Sequence, residues 1–160
     1  MSTCNTAVTD HIASPVVRLA LLRTAAVVAF AALTAAAGQV CIPLPFTPVP
    51  VTLQTLCVVL AGVALGPRLG LVSMGLYLLL GAAGYGVFAE GRWGCAVLLG
   101  PTGGYLLGLA LAQPLIGRRT ASRVGGWRLL GALLAGHAVV LVCGLVWLAC
   151  ALGAGVGQTL

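Results

Sequence analysis

The chain contains no lysine, and across its 160 residues it has only two acidic side chains, Asp10 and Glu90. Charged residues make up 6% of the total, against roughly a quarter in a water-soluble domain. So few cannot cover a surface that faces water. The shortage of carboxylates also removes the paired acids, metal clusters and triads on which most hydrolytic chemistry rests. No CxxC pair is present among the six cysteines, so neither a zinc ribbon nor a dithiol redox motif is available. The phosphate-binding GxxxxGK[ST] pattern is missing as well, and the chain does not hydrolyse nucleotides itself. A soluble enzyme, a nucleic-acid binder and a disordered linker are all excluded.

What remains is largely apolar. Hydrophobic residues account for 61% of the chain, and the mean hydropathy is +1.14. The net charge of +6 comes from eight arginines scattered between apolar runs, not gathered into the basic patch that nucleic acid requires. This is the composition of an all-α integral membrane helix bundle.

Residues 24–67, 69–89, 93–117 and 129–160 carry no charge. A helix crosses the hydrocarbon core with about 20 residues. The first interval therefore has room for two spans, and the run PLPFTPVP (43–50) divides it, because proline has no N–H and clashes with the preceding turn. The pattern predicts five transmembrane helices, at about 17–39, 50–66, 69–84, 96–116 and 128–151. A tail of residues 1–16 precedes them and a short tail, 152–160, follows. The second and third helices are short and stop below one membrane face. No cleavage site follows the first apolar run, which reads as a full span.

Five alternating spans put Arg18, Arg23, Arg68, Arg118, Arg119, Arg123 and Arg128 on one side of the bilayer. By the positive-inside rule that side is cytoplasmic, and so is the N-terminus. The Pro-rich loop, the loop around 85–95 and the C-terminus then face outwards. Glu90 and Arg92 are the only charges on that outer side.

Small residues recur four apart, at Gly62/Gly66/Gly70 and Gly100/Gly104/Gly108, and the first helix is rich in alanine. Such stripes let helix backbones approach closely in lipid. Packing within the bundle accounts for most of them, while the stripe on the first helix suits docking to a separate membrane subunit equally well. Most cysteines sit within apolar runs, where they act as small hydrophobes. Cys41–Cys95 is the one pair worth testing for a disulfide. Ser73 and His137 do not make a protease, since no nucleophile motif surrounds Ser73. His137 reads as an interhelical hydrogen-bonding group.

Binding is better supported than catalysis. Gln54 sits near the outer end of the second span, and an amide there has to point inwards or into a cavity. Thr52 and Thr55 share a face beside it, either as ligand contacts or as ordinary backbone-bonding threonines. The outer segment 84–94 mixes glycine with Tyr85, Phe88 and Trp93 and carries Arg92. Its aromatics suit interfacial anchors, and equally the walls of a small-ligand site. Thr102 and Tyr105 share a face in the following helix.

Four runs, IPLPFTPVPVTLQT (42–55), AGVALGPRLG (61–70), YLLLGAAG (77–84) and LLGPTGGYLLG (98–108), resemble the BioY family. Its members are the biotin-specific S components of energy-coupling factor (ECF) transporters. The resemblance covers about residues 17–116 strongly and the fifth helix weakly. It implies a six-helix fold with both termini cytoplasmic, of which this chain supplies five helices. The sixth, opening with a Gly-Asp…Lys/Arg motif, does not occur before Leu160. The implied activity is biotin uptake across a bacterial inner membrane. Biotin is captured from outside and passed to an energising transmembrane subunit driven by an ATPase pair, so ATP is bound only on those partners and no cofactor is used. A different vitamin as cargo, or a membrane protein without transport activity, are the alternatives. In the biotin reading, Thr52, Gln54, Thr102 and Tyr105 supply polar contacts. Tyr85, Phe88 and Trp93 form apolar walls, Phe46 rides on a lid loop, and Arg92 takes the carboxylate. Ala25, Ala29, Ala32 and Ala36 would be the docking face.

Overall fold

A computed structural model describes residues 15–42, 45, 49–120 and 126–156. Helix α1 spans Pro15–Gln39 and opens on a proline, which suits a first helical turn that needs no N–H. The chain then forms a two-stranded antiparallel ribbon, β1 (Cys41–Ile42) with β2 (Val51–Thr52), in the register Cys41↔Thr52 and Ile42↔Val51. This ribbon pinches off the Pro-rich loop. Phe46 lies in that loop, outside the described residues. The Leu53 N–H donates to Val40 O at 3.3 Å, bringing the next helix back beside the end of α1.

That helix, α2 (Gln54–Ala82), is a hairpin. Gln54 and Tyr77 would stand ~35 Å apart on a straight helix, yet their side chains are hydrogen-bonded. The corner is Gly66, with φ 76° and ψ −176°, followed by Pro67. These values lie in a region that only glycine enters readily, and proline cannot donate across the bend. The two arms, 54–65 and 67–82, run ~18 and ~24 Å at helical rise. Both fall short of the ~30 Å hydrocarbon core. They are the short second and third helices read from the sequence, and the first begins later than position 50 because Val51 and Thr52 serve the ribbon.

The span expected at 96–116 is split. Helix α3 covers Cys95–Leu99, and α4 runs Gly103–Thr120. Between them Gly100 is extended, with ψ −174°, as the residue before Pro101 should be. Helix α5 covers Gly126–Val156, longer at both ends than expected, because nothing in 152–156 breaks it.

The helices lie in the order α1, α2, α4, α5, with each packed on the next. The Ser73 hydroxyl donates to Val27 O at 2.9 Å, joining the second arm to α1. Gln113 Nε2 donates to Val58 O at 2.9 Å, joining α4 to the first arm. Its Oε1 faces Gly62 and Gly70, one on each arm, and has no hydrogen-bond partner among the described residues. The glycine spacing is thus used for packing: a Cβ on Gly104 would strike Trp147, and one on Gly108 the backbone of Val140. The core runs along this seam through Val58, Ala61, Met74, Tyr77, Leu109 and Ile116.

Leucine and valine cover much of the outer surface. Three helical segments, Pro15–Gln39, Gln54–Ala82 and Leu129–Ala151, are apolar and long enough to cross a bilayer by length and composition, although the second spends that length on a hairpin. This is a membrane protein. The two ends of the bundle differ in charge. Pro67 packs against Gly117, which gathers Arg68, Arg118 and Arg119 at one end. Gly38, Gln54 and Val87 meet at the other. Arg123 lies outside the described residues.

Candidate functional site

A cavity of about 340 Å³ opens at the end away from the arginine cluster. Four parts of the chain enclose it. The segment Val49–Thr52 and the first turn of α2, with Gln54 and Thr55, form one side. Phe88, Ala89 and Arg92 come from the loop that follows α2. Val97 of α3, Thr102, and Tyr105, Leu106 and Leu109 of α4 line the opposite side, while His137, Val140 and Leu141 of α5 complete it. Small-molecule sites typically measure roughly 300–1,000 Å³, so this one fits a compact ligand.

Local chemistry places each polar group. The break at Gly100–Thr102 turns Thr102 into the cavity, and Trp147 Nε1 fixes that turn by donating to Gly100 O at 2.9 Å. The loop 84–94 is shaped by backbone in the left-handed region at Gly84, Glu90, Gly91 and Gly94. Gly94 N–H donates to Gly81 O at 2.7 Å, closing the loop at its base. Gln39, the last residue of α1, holds it from the side, with Nε2 donating to Phe88 O at 3.1 Å and Gly86 O at 3.4 Å. The buried Phe88 ring lies over Gly81, where a Cβ would sit inside it. It meets Tyr77 edge-on, with centroids 5.6 Å apart.

Below Phe88 is a short polar chain. Thr52 Oγ1 donates to Gln54 Oε1 at 3.2 Å, and Gln54 Nε2 donates to the Tyr77 hydroxyl at 2.5 Å. Thr102 Oγ1 reaches only Val97 O, at 3.4 Å. The side chains of Thr55, Tyr105 and His137 face the cavity without a hydrogen bond among the described residues. Arg92 is the only described cation on the lining, and it is paired with Glu90: Nε donates to Glu90 Oε2 at 3.0 Å, and Nη2 to the same oxygen. Both side chains are more than a third exposed.

Of the residues singled out from the sequence, Thr52, Gln54, Thr55, Phe88, Arg92, Thr102 and Tyr105 come together here. Tyr85 and Trp93 do not. They are 62% and 63% exposed, since Gly84 and Gly94, both at positive φ, turn the chain outwards beside them. Ala25, Ala29, Ala32 and Ala36 are all exposed on α1 and take no part in the bundle. Cys41 and Cys95 are free thiols. His137 is exposed at the cavity instead of bonding between helices, because in this turn of α5 it is the preceding Gly136 that packs on α4, against Ile116. Gln39, His137 and Tyr77 complete the arrangement. For Gln39 and His137 the only signal was a polar group in an otherwise apolar helix, and for Tyr77 there was none.

Apolar walls, hydroxyl and imidazole groups that are unpaired among the described residues, and a guanidinium suit a small ligand that has an apolar body, a polar head and a carboxylate. No group of three or more His, Cys, Asp or Glu residues among those described could hold a metal ion.

Comparison with known proteins gives a consistent result. The family model described as "BioY family" matches residues 9–160. A probable biotin transporter BioY from Pyrococcus horikoshii is 42% identical over 120 residues, covering 75% of this chain and 70% of that protein. The biotin transporter BioY of Thermotoga maritima is 47% identical over 76 residues, which covers 48% of this chain and 45% of the relative. Among solved structures, the S-component for biotin from an ECF-type ABC transporter superposes with a TM-score of 0.75 at 32% identity. That match covers 82% of this chain and 74% of the other.

Proposed function

The chain belongs to the BioY family, and from that membership we propose that it is the biotin-binding subunit of an ECF-type transporter and not an enzyme. The observation that carries this is the cavity itself. Among the described residues, Thr55, Tyr105 and His137 without side-chain partners, the Gln54 amide and a single arginine surround a space of about 340 Å³ walled by apolar side chains.

The residues divide the ligand between them. Biotin has a ureido ring that both donates and accepts hydrogen bonds, an apolar bicycle and a valerate carboxylate. Gln54, Thr102 and Tyr105 serve the ring, with Thr52 acting through its hydrogen bond to Gln54, and Phe88 with the α4 and α5 side chains holds the bicycle. Arg92 meets the carboxylate. Tyr85 and Trp93 stand outside as membrane-interface anchors.

The arginine cluster at the other end sets the orientation. By the positive-inside rule that end lies in the cytoplasm of a bacterial inner membrane, so the cavity opens outwards. The exposed alanine face of α1 then docks on an energising membrane subunit, and ATP is used by that subunit's ATPase pair. Saturable binding of biotin to the purified chain in detergent is the expected result of calorimetric titration, with other vitamins failing to compete. Tighter binding of a different vitamin overturns the assignment of cargo.

A further inference from the structure

The cavity presents Gln54 to its contents, but Gln54 does not set its own orientation. Its side chain is 95% buried and anchored at both ends: Oε1 accepts from Thr52 and Nε2 donates to the Tyr77 hydroxyl. Tyr77 is 0% exposed, does not line the cavity, and comes from the other arm of the α2 hairpin. Its ring is fixed edge-on by Phe88, and Phe88 is seated in the space left by Gly81. A primary amide offers two N–H donors and an oxygen with two lone pairs. Each anchor uses one of these, so one N–H and one lone pair are left for a ligand, in fixed positions.

We propose that Tyr77 is a positioning residue for ligand recognition: together with Thr52 it holds the Gln54 carboxamide at both ends, in one place and one plane, so that the cavity offers a donor and an acceptor at a fixed spacing to a ureido-type head group. This rests on the biotin reading above. Without the hydroxyl, the amide is held by Thr52 alone and can swing about that contact to suit whichever ligand is present. The cavity then loses its distinction between a ligand that brings a carbonyl and one that brings an N–H at the same place.

The test is calorimetric titration of the purified full chain with biotin and with 2-iminobiotin, in which the ureido oxygen is replaced by an imino group. Tyr77→Phe keeps the ring against Phe88 and removes only the hydroxyl. It is expected to weaken biotin binding about fivefold, the effect of one neutral hydrogen bond, and to narrow the preference for biotin over 2-iminobiotin. In a Gln54→Ala background the same substitution should change biotin affinity by less than about twofold, because coupled residues are not additive. Thr52→Val, at the ribbon outside the core, should repeat the pattern from the other anchor and carries the test if the Tyr77 variant does not fold. Equal losses for both ligands, or a penalty that persists without Gln54, overturns the positioning role alone. A wild-type chain that binds no biotin overturns the functional reading and this inference together.

Discussion

Arg92 already has a partner before any ligand arrives. Its guanidinium is engaged by Glu90, so a ligand carboxylate competes with a carboxylate of the protein for the same donors. Arg92→Ala should weaken biotin binding tenfold or more in the same titration, consistent with losing a charge-assisted hydrogen bond worth about 1.5–3 kcal/mol. Unchanged affinity removes Arg92 from the site. Glu90→Gln should act in the opposite direction and strengthen binding by at most about fivefold, because an exposed ion pair is worth ~1 kcal/mol or less. Weaker binding in that variant would instead mean that Glu90 orients the arginine. At this scale the sequence was informative wherever a polar group stood out against an apolar run, as with Gln54, Thr102 and Arg92. It was silent on Tyr77, since a tyrosine in a buried arm reads as core until the hairpin brings its hydroxyl to Gln54.

Among the elements, the bend at Gly66 bears most on the site. A Cβ there would meet nothing within 4 Å, so replacing Gly66 with Ala tests backbone strain alone. The expected cost is about 1–3 kcal/mol, read as a lower thermal unfolding midpoint in detergent. An unchanged midpoint would argue against a left-handed corner. Two of the breaks were legible in the sequence: the Pro-rich loop, where proline cannot continue a helix, and the interruption after Gly66, where the second span ends. The split between α3 and α4 is hidden, because the surrounding run LLGPTGGYLLG is apolar enough to pass for one span. The ribbon was not visible either, since two-residue strands have no periodicity to read.

For the molecule as a whole, the arginine map gives a direct check. In a cysteine-free background, Arg68→Cys and Arg118→Cys should resist a membrane-impermeant thiol reagent in intact cells, while Arg92→Cys should react. Labelling of all three from the same side overturns the orientation. The alanine face of α1 supplies another test. Ala32→Trp should abolish co-purification with the energising subunit yet leave biotin affinity within about twofold, because exposed positions away from a site seldom alter it by more than a few tenths of a kcal/mol. Retained co-purification moves docking elsewhere. The bundle and its polarity were readable from charge spacing because lipid imposes so strict a rule on where charge can sit. Which faces turn inwards was not, since that depends on neighbours distant in the chain. The α2 hairpin also has a consequence for biogenesis. Gln54 and Tyr77 are 23 positions apart, a separation that closes early when local contacts form first. Synthesis proceeds from the N-terminus, so the polar base of the binding chamber can assemble while α4 and α5 are still on the ribosome. Those later helices then fold against a finished template.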